Sequence, residues 1–292
     1  MRGIPAELEL SRPADLSEAL SRLARDPGLR PLAGGTDLMV KHEDGGLGPA
    51  RLLDLSRLPE LHGIRRIDGE LEIGAAVCYA DILAHPDVRE FLPLLAQAAE
   101  QTGARAIQER GSLGGNVANA SPAADSVPAL IAHGADLLLT STEGTRRLPV
   151  EDFFLDYRQT DLRAGELIRA LRLPLQTPEL HYFRKVGTRR AQAISKVVLA
   201  ATGRWTPQGL QCRIGLGSVA PITLRCRELE EFLARAAGRA GWKEEAVTRL
   251  RAGIRPIDDM RSTASYRSQV AGNLLLAFLR RAEALRPTLG TR

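Results

Sequence analysis

Residues 111–128 read GSLGGNVANASPAADSVP, and residues 30–38 read RPLAGGTDL. Each stretch places a Gly-Gly pair after apolar residues, and the pairs stand about eighty residues apart. Glycine loses more backbone freedom on folding than any other residue. A repeated pair therefore points to tight turns, close packing, or a ligand approaching the backbone. A strand ending at Gly34-Gly35, with Thr36 capping a following helix, would expose several N–H groups beside the positive helix end. That arrangement attracts anions. Thr36 adds a hydroxyl, whereas Asp37 opposes an anion unless it points away or caps the turn. The second stretch offers amides from Ser112 to Asn116, a serine hydroxyl and an asparagine amide. Ser121 and Asp125 follow, with Asp125 placed to cap the next helix. Either loop alone reads equally as a plain turn before a capped helix. Together they suggest one extended diphosphate held from two sides.

Outward from these loops, the chain is expected to alternate strands and helices. Glu7 to Leu10 and Arg30 to Ala33 read as strands. Between them Asp15 caps a helix with Leu16, Ala19, Leu20 and Leu23 at helical spacing. RLLDL at 51–55 is a third strand. Asp68-Gly69 sits between alternating segments, a hairpin signal. A helix is expected over about 87–101 and another over 125–133, with strands at DLLLT, RRLPV and GELIRALRLP. QTP at 176–178 reads as a boundary. Beyond it, HYFRKV, KVVLAATGRW and LQCRIGLGSV are expected to form three antiparallel strands. Helices follow at about 227–238, 242–253 and 265–285. The expected class is α+β. Residues 1–175 form one domain, with subdomains of about 1–56 and 57–175, and residues 176–292 form a smaller one.

The 292 residues carry a net charge of +5, but the basic residues are scattered among acids with no interleaved aromatics. That is poor material for nucleic-acid binding, and a docking surface for an acidic partner subunit suits the charge equally well. No apolar run is long enough to span a membrane and MRGIPAELEL has no signal-peptide core, so a cytoplasmic protein is expected. Cys78, Cys212 and Cys226 have no CxxC spacing, and the histidines form no HxH or HExxH, so no metal site is expected. Gly215-Leu-Gly217-Ser-Val-Ala220 satisfies a dinucleotide fingerprint. Pro221 and antiparallel flanks replace the helix such a fingerprint must open.

AGGTDL at 33–38, SLGGNVANASPAAD at 112–125, FFLDYRQTDLRAGELI at 153–168, FRKVGTRRAQAISKV at 183–197 and YRSQVAGNLLLAFL at 266–279 occur in that order. Through these five blocks, nearly the whole chain resembles the FAD-binding medium subunit of the molybdenum hydroxylases, the xanthine dehydrogenase and carbon monoxide dehydrogenase family. The resemblance implies a two-part FAD domain of the p-cresol methylhydroxylase (PCMH) type and a small C-terminal domain. It implies that Pro31, Leu32, Ala33, Gly34, Gly35, Thr36, Asp37 and Leu38 wrap the FAD pyrophosphate. Ser112, Leu113, Gly114, Gly115 and Asn116 would form the second phosphate loop, with Leu113 near the flavin ring. Ser121 and Asp125 would lie along the cofactor's polar chain. Leu162 would pack on the cofactor and Lys185 would approach the isoalloxazine. Thr102 stands where a relative has a larger contacting residue.

The resemblance also implies partners: a large molybdopterin-binding subunit and a small subunit with two [2Fe–2S] clusters. Electrons would pass from them to FAD and on to NAD⁺ or another acceptor. The absence of a cysteine-bearing insertion argues against the 4-hydroxybenzoyl-CoA reductase branch. Ala-Ile-Ser-Lys at 193–196 leans toward a xanthine dehydrogenase-like holoenzyme. The alternatives are a free-standing PCMH-type flavin reductase such as UDP-N-acetylenolpyruvoylglucosamine reductase, a binding module with structural glycines, and a dinucleotide-binding dehydrogenase resting on Gly215 and Gly217.

Overall fold

A computed structural model describes residues 7–189 and 192–286. The chain opens with β1 (Leu8–Ser11), α1 (Leu16–Arg25), β2 (Leu29–Leu32), α2 (Leu38–Glu43) and β3 (Ala50–Asp54). The three strands form a parallel sheet in the order β1-β3-β2. Asp15 caps α1 by accepting the Glu18 N–H at 2.8 Å, and Ala19, Leu20 and Leu23 turn inward. Pro31 lies on β2, an edge strand, where its missing N–H costs the ladder least.

β4 (Ile64–Ile67) and β5 (Glu70–Gly74) form a hairpin. Its turn residues, Asp68 and Gly69, have φ of 53° and 78°, the left-handed pair that a two-residue hairpin needs. A helical stretch follows: α3 (Tyr79–Ala84), α4 (Pro86–Phe91), α5 (Pro93–Gln101), α6 (Arg105–Gln108), α7 (Leu113–Ala118) and α8 (Ser126–His133). The single helix expected over 87–101 is two, because Pro93 begins a new helix and Leu92 leaves helical geometry at its N-cap. β6 (Asp136–Ser141), β7 (Gly144–Pro149), the short hairpin β8 (Phe154–Asp156) and β9 (Gln159–Thr160), and β10 (Leu167–Pro174) complete this part. Its main sheet runs β4-β5-β10-β6-β7 and is antiparallel. Leu71, Ile73, Leu137, Leu139 and Leu171 are fully buried on it, beneath α5, α7 and α8. Each such side chain contributes roughly 1.5–3 kcal/mol by leaving water.

The last part holds β11 (Leu180–Val186), β12 (Val197–Thr206), β13 (Gly209–Gly217), β14 (Leu224–Arg225), α9 (Arg227–Ala236), α10 (Trp242–Gly253) and α11 (Ala264–Ala284). The antiparallel sheet has four strands rather than the expected three. β14 is only two residues long and follows Pro221, so it left no alternating pattern to read. Along β12 the side chains alternate. Val197, Leu199 and Ala201 face the core made with α9, α10 and α11, while Val198 and Ala200 pack with Leu94, Ala98, Ala129 and Ala132 of α5 and α8. The sheet is thus covered on both faces, one by its own helices and one by the preceding part.

This second packing explains the false dinucleotide fingerprint. A Cβ on Gly215 would lie 2.3 Å from the carbonyl oxygen of Pro128, on α8. Gly215 lets the α8 backbone rest directly on β13, and no helix opens there. Arg213 continues the contact, donating to the Ile131 carbonyl at 3.0 Å and to Glu151 at 2.9 Å. His133, near the end of α8, accepts the Leu94 N–H at 3.3 Å. Burial pushes its imidazole down to about 3, so it stays the neutral acceptor. Among the described residues no helix is long and apolar enough to cross a membrane. Gly215→Ala is expected to force α8 off the sheet and to lower Tm by about 2–10 °C, the overpacking cost for a chain of this size. An unchanged melting curve would show that the close approach carries no load.

Candidate functional site

The first glycine stretch turns between β2 and α2. Pro31 and Leu32 pair with Leu53 and Asp54 in the parallel sheet. Gly35 adopts φ of 75°, which a side chain would strain. Thr36 does not cap the helix. Asp37 holds the N-cap position, without a capping hydrogen bond, and Leu38 starts α2. Among the described residues none of the backbone amides from Ala33 to Asp37 donates to another group of the chain.

The second stretch behaves differently. Ser112 to Asn116 was expected to offer free amides. Among the described residues the Ser112 amide has no acceptor, but the other four are in use. Leu113 donates to Val77, Gly114 to Ala75 at 2.9 Å, Gly115 to the Ser112 hydroxyl at 3.2 Å, and Asn116 to the Ser112 carbonyl. The segment is helix α7, capped by Ser112. Glycine-rich sequence is a weak helix former, but Leu113 and Val117 are anchored in the main core and override the propensity. Leu113, the expected ring contact, is wholly buried in that core. Gly114 is there for packing: a Cβ on it would stand 2.5 Å from the Cβ of Ala75.

The two stretches nonetheless meet. A Cβ on Gly34 would lie 1.7 Å from the carbonyl oxygen of Arg110 and 3.2 Å from the nitrogen of Gly111. Only a residue without a side chain lets the first turn sit on the residue that leads into the second. A bond bridges them as well: the Asn119 amide donates to Asp37 at 3.0 Å. The first turn therefore supplies a run of free amides, and the second supplies the single amide of Ser112, a wall and side chains.

A second cluster stands around Asp125. Its carboxylate takes the Lys185 ammonium at 2.6 Å and the Ser195 hydroxyl. It occupies the N-cap position of α8 but makes no capping bond. Lys185 also donates to the Gln101 carbonyl at 2.8 Å, beside Thr102. Burial pushes the Asp125 carboxyl up, a rise that the Lys185 charge and the hydrogen bonds of Lys185 and Ser195 offset only in part. Asp125 and Lys185 come from opposite sides of the 176–178 boundary, so their pair also ties the two parts together. Thr102 turns its hydroxyl to the Ala98 carbonyl at 2.8 Å. Leu162 packs against the main core. Ser121 accepts the Ala123 N–H, and Asn116 accepts the Ser126 hydroxyl at 2.7 Å. Ser126 in turn contacts the Tyr79 hydroxyl, whose ionisation burial pushes up. Lys41, Tyr79, Asn119, Ser126 and Ser195 escaped the sequence reading as site residues. Asn119 lies inside the SLGGNVANAS block and could have been found there.

Two turns seated on one another, with unpaired amides on the first and polar side chains on the second, make an arrangement chemically suited to an anionic, extended cofactor. Known proteins give that cofactor its identity. Residues 6–176 match the FAD binding domain in molybdopterin dehydrogenase, and residues 181–282 match the CO dehydrogenase flavoprotein C-terminal domain. The chain is 32% identical to the carbon monoxide dehydrogenase medium chain of Hydrogenophaga pseudoflava, covering 96% of this chain and 99% of that one. It is 28% identical to the xanthine dehydrogenase FAD-binding subunit of Escherichia coli O157:H7, over 88% and 89% of the two chains. A solved carbon monoxide dehydrogenase from Hydrogenophaga pseudoflava superposes with a TM-score of 0.90 at 29% identity, over 97% of this chain and 99% of that one. The chain belongs to the family of FAD-binding medium subunits of the molybdenum hydroxylases and binds FAD as an oxidoreductase subunit.

Gly34→Ala is expected to separate the two turns while leaving the cores intact. Purified protein should carry about tenfold less flavin by visible absorbance, since a misfit of this size removes more than one charge-assisted hydrogen bond. Full flavin content in this variant would mean that the contact with Arg110 does not shape the site.

Proposed function

We propose that this chain is the flavin-carrying electron-transfer subunit of a molybdenum hydroxylase, receiving electrons from the [2Fe–2S] centres of a small partner subunit. A large molybdopterin-binding partner would oxidise the substrate, and NAD⁺ or another acceptor would take the electrons. Bound FAD supplies the redox chemistry, exchanging electrons singly on one side and in pairs on the other. The observation that supports the proposal is the seating of Gly34 on Arg110, which brings together two glycine stretches that both lie within the matched FAD binding domain.

The chain's own residues bind and orient. The Ala33–Asp37 amides, with no acceptors among the described residues, suit the diphosphate, whose charge they meet without the desolvation cost of a buried side chain. Gly34 and Gly35 keep the approach clear of side chains. Asp125 and Lys185, fixed to each other and to the Gln101 carbonyl, suit the polar chain and ring of the cofactor. Division of the chain at 176–178 fits the two matched segments, which meet between residues 176 and 181. The lean toward a xanthine dehydrogenase-like holoenzyme is not carried forward, because the carbon monoxide relative is 32% identical and the xanthine relative 28%.

Co-expression with its neighbouring genes is expected to yield a complex carrying FAD, molybdenum and iron, in which this chain alone reduces no substrate with NADPH. A yellow, monomeric chain that oxidises NADPH by itself would instead establish the free-standing reductase.

A further inference from the structure

Three residues link the first turn to the second. Asp37 accepts the Asn119 amide on one oxygen at 3.0 Å and the Lys41 ammonium on the other at 2.7 Å. Lys41 also donates to the Asn119 side-chain oxygen at 3.2 Å, closing a ring. Lys41 and Asp37 are one helical turn apart on α2. Such a pair on its own is an ordinary surface ion pair worth about 0–1 kcal/mol. Asn119 changes its meaning. It lies 78 residues beyond Lys41, at the end of α7, and bonds both members. The backbone of Lys41 is also pinned, its carbonyl accepting the amides of Gly46 at 2.8 Å and Leu47 at 3.0 Å.

The ring answers the objection that Asp37 raises. A free carboxylate beside a diphosphate would repel it, but here both oxygens are occupied by donors and the charge is matched. Two donors are left over. An ammonium has three N–H groups and a carboxamide has two. Among the described residues, one N–H of Lys41 and one of Asn119 have no partner.

Resting on the FAD site described above, we propose that Lys41 is the cation of the diphosphate subsite. With Asp37 and Asn119 it forms a clasp across the two turns, with Asp37 orienting the ammonium and Asn119 registering it to α7. The clasp turns an acidic position into a neutral one with two N–H donors to spare, complementing the uncharged amides of Ala33–Asp37.

The test uses the full chain stripped of flavin and titrated with FAD, with riboflavin, which lacks the diphosphate, and with ADP, which lacks the flavin. Lys41→Gln is expected to weaken FAD and to weaken ADP competition by the same factor, about tenfold or more. Riboflavin should be unaffected, Lys41→Arg should restore binding, and the deficit should shrink at high salt. Unchanged FAD affinity in Lys41→Gln would overturn the clasp, as would equal weakening of FAD and riboflavin, the mark of a loosened turn. Failure of the unaltered chain to bind FAD at all would overturn the site itself, and the clasp with it.

Discussion

The contact on which the site depends is steric and involves no side chain. Gly34 lies against the carbonyl of Arg110 so closely that an added methyl group would overlap it. That contact sets the distance between the β2–α2 turn and the start of α7. Everything polar across the gap, including the bond from Asn119 to Asp37, is possible only because the two backbones already touch. A second glycine performs the same service at the far side. Gly215 admits the α8 backbone onto β13 and so places the C-terminal sheet against the flavin-binding part.

Helix α8 makes the second of these contacts, and through its Ser126 hydroxyl it bonds Asn116 of α7. Asp125 stands at its start, facing Lys185 and Ser195 from the C-terminal part, and His133 closes its end against α5. Breaking a buried pair such as Asp125–Lys185 by removing one partner strands a charge away from water, which typically costs about 3–5 kcal/mol. The pair is therefore a joint between the two parts as well as a candidate binding element. Glu151 makes a second joint, gathering Arg213 and Arg225 at 2.9 and 2.8 Å. Ionic and apolar contacts both hold the C-terminal part in place, and it cannot shift without disturbing the Asp125–Lys185 pair.

Much of this was legible in the sequence because it is local. Asp68-Gly69 announced its hairpin, Asp15 its helix, and the alternation along 197–216 its strands. The glycine pairs announced that something approaches the backbone. Their meaning was legible only in part, since Gly34 and Gly35 serve an open turn whereas Gly114 packs on Ala75 inside a helix. Local pattern cannot separate these cases, because the partner that fills the space is distant in sequence. The same reason hid the ring of Asp37, Lys41 and Asn119, and the role of Ser195. The break at Leu92 was different. Pro93 was in plain view, and the apolar spacing on either side of it masked the stop.

The second turn thus has a different part from the first. Its amides from Leu113 to Asn116 are spent within the chain, and among the described residues the donors that remain are those of Ala33–Asp37 and Ser112. Amide hydrogen exchange, compared between flavin-free and FAD-loaded protein, measures that division directly. FAD is expected to slow exchange across residues 33–37 strongly while leaving the amides of 113–116, already bonded within the chain, nearly unchanged. Exchange across 33–37 that stays as fast with FAD bound as without it would contradict the account.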